Sequence, residues 1–151
     1  MAFEAVRDVL DQARAFHHDL SVYYRQLEGA AQQERVRILL GYLSRHEERL
    51  EEAMAEYEAG AGPQVLNSRY KYTPLLDLAE RTKDYVVDPE MSVEEVVRVA
   101  LGFDDCLLAA FRRMAENAPS EEVRELFARL LALEESEEHH LARSALELNQ
   151  I

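Results

Sequence analysis

The chain has 151 residues, 48% hydrophobic and 31% charged, with 17 Lys+Arg against 30 Asp+Glu for a net charge of −13. That suits one domain with its own core and excludes a disordered chain, while the acidity excludes binding to nucleic-acid phosphates or anionic membranes. A lone cysteine, Cys106, excludes an internal disulfide and a cysteine zinc site, and acids near the start with no long apolar run argue against a signal peptide or membrane span, so a soluble cytoplasmic protein is expected.

Apolar residues recur at helical spacing in four stretches, and nowhere does a period-two alternation persist, so the fold class is all-α. The first stripe runs Val6, Leu10, Ala13, His17, Leu20, Tyr24, Leu27, and the second runs Val36, Leu39, Leu43, His46/Glu47, Leu50, Met54, Tyr57. A short joint near Gly29 to Gln33 makes these two helices antiparallel neighbours. Ala59-Gly60-Ala61-Gly62-Pro63 then breaks the pattern, and residues 59–91 form a long crossover in which Thr73-Pro74 opens a short helix over 74–84. Ser92 with Glu95 is a capping box for the third helix, whose stripe runs Val93, Val97, Ala100, Asp104, Leu107, Phe111, Met114. Pro119 stops it, and Ser120 caps the fourth, with Leu126, Phe127, Leu130, Leu133/Glu134, Glu137, Leu141, Ala145, Leu148 on its stripe. The expected organisation is a single domain over 1–151, with hairpins at 3–58 and 92–148 around a crossover at 59–91.

The chain also repeats itself. At an offset of 87, residues 3–57 align without a gap onto 90–144, and 16 of the 55 pairs are identical, from Val6/Val93 through Phe16/Phe103 and Glu47/Glu134 to Ala55/Ala142. Two equivalent helical hairpins packed as a pseudo-symmetric four-helix bundle account for a register that spans a helix, a turn and a second helix. The repeat equates His17 with Asp104, Glu47 with Glu134 and Leu50 with Glu137, all near the middle of their helices. At 1.5 Å per residue, antiparallel packing sets them at one depth. His17, Glu47, Asp104, Glu134 and Glu137 are therefore predicted to form one polar layer inside an apolar bundle. Buried carboxylates must be protonated, paired, hydrated or bound to metal, and an oxygen-rich set with imidazole suits iron or manganese.

These features resemble the ferritin-like superfamily in its rubrerythrin-like branch, over roughly residues 3–148. Ala100-x-x-x-Asp104 with Phe111 seven residues on stands where the family has Ala-x-x-x-Glu and Tyr, and Leu126-Phe127 precede Glu134 at about the family's distance. The resemblance implies a four-helix bundle of two αα-hairpins with a crossover, and a metal centre built from a Glu on each first helix and a Glu-x-x-His on each second one. His17 and Asp104 replace the two Glu, while Leu50 and Glu137 take the two histidine places, so only Glu47 and Glu134 match by type. A metal held by Asp104, Glu134 and Glu137 with His17 or Glu47 remains open. A second register would use Glu137-x-x-His140 instead. A hemerythrin-like pattern fails on spacing, because Leu50 stands four residues after His46.

Two functions stay open at this level. One is a ferritin-like protein binding iron or manganese in an altered centre, with a redox or metal-handling role. The other is a metal-free bundle serving as a dimeric structural or interaction protein, with His17 protonated between carboxylates. His18, His46, His139 and His140 are expected at the surface or on helix flanks, and Tyr70, Tyr72, Leu75 and Leu76 as cover for a homodimer partner.

Overall fold

Two long antiparallel helix pairs dominate the chain. The structure, a computed structural model, describes residues 4–71, 88 and 90–149. In chain order the elements are β1 (Glu4–Ala5), α1 (Val6–Ala30), α2 (Glu34–Gly60), α3 (Pro63–Leu66), β2 (Arg69–Tyr70), α4 (Val93–Glu116) and α5 (Glu121–Asn149). The four long helices match the four apolar stripes. Three of the four starts have a side-chain cap: the Ala5 amide donates to Asp8 Oδ2 at 3.0 Å, Glu95 N to Ser92 Oγ at 3.1 Å, and Val123 N to Ser120 Oγ at 3.3 Å.

Each hairpin closes its helices along their length, and the two hairpins meet across their apolar faces to form an all-α, ferritin-like four-helix bundle. The repeat is visible in burial. Val6/Val93, Ala13/Ala100, Phe16/Phe103, Leu20/Leu107, Tyr24/Phe111, Leu43/Leu130 and Met54/Leu141 are buried as pairs. Repeat-related Phe16 and Phe103 touch edge to face, with centroids 6.3 Å apart at 74°. Phe111 and Phe127 pack at 6.1 Å, and Tyr70 sits edge-on to Phe127 at 6.0 Å. Among the described residues no helix is long and apolar enough to cross a membrane.

Two expectations change. The described part of the crossover contains the one-turn helix α3 after Gly62-Pro63, and β2 pairs antiparallel with β1, Glu4 opposite Tyr70 and Ala5 opposite Arg69. A two-residue pairing has no periodicity to read, so nothing in the pattern announces it. The short helix expected over 74–84 lies outside the described residues, as do Tyr72, Leu75 and Leu76. Tyr70 is not a surface residue awaiting a partner: it is 3% exposed and donates from its hydroxyl to Met114 O at 2.6 Å. The strand pairing turns its ring inward, and burial pushes the phenol's pKa up. Tyr70→Phe is expected to destabilise the fold by about 1–2 kcal/mol in urea titration, since a buried carbonyl loses its donor; an unchanged midpoint would show that the bond contributes nothing.

Candidate functional site: a buried histidine–carboxylate layer

Four helices deliver one polar group each to the same level of the core. His17 on α1 is 0% exposed, Glu134 on α5 is 1%, Glu47 on α2 is 2% and Asp104 on α4 is 6%. One turn away in sequence the neighbours are buried hydrocarbon at Ala13 and Leu20, Leu43 and Leu50, Ala100 and Leu107, and Leu130, while on the far side of Glu134 the next buried apolar residue is Leu141, two turns on. On α1, α2 and α4 the layer is therefore screened by hydrocarbon on both sides along the bundle, and on α5 on the side of Leu130.

His17 organises it. The imidazole Nδ1 meets Glu47 Oε2 in a short contact, and Nε2 meets Glu134 Oε1 at 2.7 Å. A neutral ring can donate from only one nitrogen, so carboxylate oxygens at both call for the imidazolium. Burial alone pulls the imidazole's pKa down, but the charges of Glu134 and Glu47 and their hydrogen bonds outweigh it and hold the pKa well above 6.5. Asp104 is affected the opposite way from a surface acid. Desolvation first, then the charges of Glu47 and Glu134, raise its pKa from 3.8 to about 9, although His17 pulls it back. At neutral pH the layer is an imidazolium between two glutamates beside a protonated aspartic acid.

Two of the predicted site residues do not join this layer. Glu137 lies on the rim of α5, its side chain 30% exposed, with Oε2 3.4 Å from His46 Nδ1. Three residues advance a helix by about 300°, which rotates position 137 by about 60° from Glu134 towards α2. His140, the ligand of the second register, is exposed, so α5 keeps the register in which Glu134 faces inward. His46 corrects the expectation in the other direction. It is 3% exposed and stacks on Tyr42 at 5.8 Å and 13°, and desolvation lowers its pKa despite the nearby Glu47 and Glu137. The signal was present, because the repeat pairs His46 with the apolar Leu133. His18 and His139 are exposed, as expected. Ser21 and Ser44, unremarked in the sequence, are also buried, and Ser44 Oγ donates across the hairpin to Ser21 O at 2.9 Å.

A two-metal centre asks for six donors, and the donor chemistry here does not fit one. Leu50, 3% exposed, fills one histidine position with hydrocarbon, and Glu137 is turned outward at the other. Both nitrogens of His17 face carboxylate oxygens, and a ring nitrogen that carries a proton has no lone pair for a metal. Among the described residues, no three His, Cys, Asp or Glu side chains are grouped as metal ligands would be.

The fold is ferritin-like by comparison as well as by geometry. A Thermotoga maritima protein of known crystal structure, described as a candidate ferritin-like diiron-carboxylate protein, superposes with a TM-score of 0.63 over 97% of this chain and 98% of that one, at 14% identity. No family model matches the chain, and no curated protein does. At that identity the likeness extends to the fold, and the chemistry has to be argued from this chain's own residues.

Proposed function

We propose that this chain is a ferritin-like bundle whose interior centre is held by a protonated histidine in place of paired metals, and that it works as a helical structural or interaction protein. The observation that carries this reading is the engagement of both His17 nitrogens by Glu47 and Glu134. An imidazolium between two carboxylates supplies the positive charge that an acidic layer needs, and does so from within the chain.

The competing reading is one iron or manganese ion in a redox or metal-handling role. Asp104 favours it, because a third carboxyl beside Glu47 and Glu134 makes an oxygen-rich set that suits these metals. On that reading His17 and Asp104 would both have to give up protons, so uptake would strengthen as pH rises.

Metal analysis of the purified protein, with melting curves at about pH 7 and 9 with manganous ion or chelator, separates the two. The metal-independent reading expects no stoichiometric iron or manganese, and melting temperatures that agree within about 1 °C. A stoichiometric metal, or a rise of several degrees that Glu134→Ala abolishes, would transfer the conclusion to the metal-binding reading.

A further inference from the structure

The repeat breaks its own symmetry at one place beside the buried layer. Across the seam between α2 and α5, His46 Nδ1 lies 3.4 Å from Glu137 Oε2, and the repeat sets Leu133 and Leu50 at the two corresponding positions. His46 and Leu133 directly precede Glu47 and Glu134, while Leu50 and Glu137 follow them by one turn. The pair Glu47 and Glu134 therefore has two related flanks, one of histidine and acid, the other of two leucines. Leu50 is buried and Leu133 packs against the core, so the second flank is hydrocarbon. The fold closes there with leucine, and packing alone does not call for a histidine on the first.

The polar flank spans the distance from the layer to water in two side chains. At its inner end His46 is buried, lies flat against Tyr42, and is the chain neighbour of Glu47, which accepts from His17. At its outer end the Glu137 side chain is half-buried and reaches solvent. Glu47 and Arg49 act on the His46 ring from its own helix, and Glu134 and Glu137 act on it from α5. Burial outweighs the three acids and holds the imidazole below its ordinary pKa, so at neutral pH one nitrogen donates and the other accepts. A neutral imidazole with a carboxylate on either side is suited to pass protons between them.

We propose that His46 and Glu137 form the route by which the buried layer trades protons with water. A proton on His17 Nδ1 passes to Glu47 and from there to His46, which releases one from its other nitrogen to Glu137 and so to solvent. The reverse sequence returns a proton to the ring, so the exchange leaves the charge of the layer unchanged. Along the bundle the alternative ways out are blocked by buried hydrocarbon on α1, α2 and α4. The route rests on the reading of His17 as an imidazolium.

Nitrogen-15 NMR of the full chain tests this, because the His17 ring nitrogens report protonation and their N–H signals report exchange with water. His46→Leu combined with Glu137→Leu copies the leucine flank, and is expected to slow His17 ring exchange by at least about tenfold, leaving local opening as the remaining path. Glu137→Gln, which keeps the size of a rim side chain, is expected to slow it in the same direction and decides the matter if the double variant fails to fold. Exchange of backbone amides buried in α2 is the control, since a variant that merely loosens the bundle speeds exchange at both. Slower His17 exchange with unchanged amide exchange supports the route. Equal or faster His17 exchange in the folded variants would overturn it and leave the imidazolium reading standing. A wild-type His17 with one bare ring nitrogen would overturn that reading and the route together.

Discussion

His17→Ala lowers the stability of the fold by about 3–5 kcal/mol at pH 7, read from urea or guanidinium unfolding, because it leaves Glu47 and Glu134 buried with no cation between them. Domains of this size are stable by only about 5–15 kcal/mol, so the variant stands close to unfolding. Part of the loss is recovered if the orphaned glutamates take up protons, and the deficit should therefore shrink in acid. The triple change His17→Leu, Glu47→Leu, Glu134→Leu separates the worth of the layer from the cost of breaking it. Replacing all three charged groups by hydrocarbon is expected to be neutral or stabilising by about 1–4 kcal/mol, since no desolvated charge remains. A His17→Ala protein as stable as the wild type would show that no ion pair operates in the layer.

Stability is expected to fall as the solution is made alkaline, and the sign follows from two groups. His17 has a folded pKa raised above its unfolded 6.5, so its contribution is complete below pH 6.5 and is lost as pH rises through the folded value. Asp104 has an unfolded pKa of 3.8 and a folded one of about 9. Between those values the native state holds a proton that the unfolded chain has released, so its contribution also declines with pH and levels off above about 9. Each such proton is worth about 1.4 kcal/mol per pH unit where native and unfolded states differ fully. The steepest decline is thus expected between pH 6.5 and 9, where both groups act. Melting in the presence of chelator across this range measures it. Asp104→Asn keeps the shape of the side chain, removes one titrating proton, and should flatten the slope by about that amount. A wild type with equal stability at pH 6.5 and 9, or an Asp104→Asn slope identical to that of the wild type, would rule out the protonation states assigned to the layer.

Recognising this layer in the sequence depended on a coincidence of two patterns. His17, Glu47, Asp104 and Glu134 each interrupt an apolar stripe, which alone permits many readings. The offset of 87 residues then places them at corresponding points of two hairpins, and corresponding points of antiparallel helices lie at the same depth. Glu137 satisfied the same stripe and still fell on the rim, because residues three apart share a face only approximately and the remaining rotation is enough to reach solvent. His46 shows the reverse error. A histidine beside an acidic run reads as surface, yet a flat ring can be covered by another, and Tyr42 covers it.

Four amphipathic helices, the Ser92 and Ser120 caps, the pairing into two hairpins and the repeat that unites them were all legible in the chain, since they follow from local periodicity and from one sequence compared with itself. Packing in three dimensions was needed to learn that both His17 nitrogens face carboxylates, that burial and the neighbouring glutamates raise the Asp104 pKa, and that Tyr70 is held in the core beside a two-residue strand pairing. Hydrogen-bond direction and protonation depend on distances of a few tenths of an ångström between side chains far apart in the chain. Helical periodicity positions a residue to within a face, and no pattern along one strand of sequence carries the finer distance.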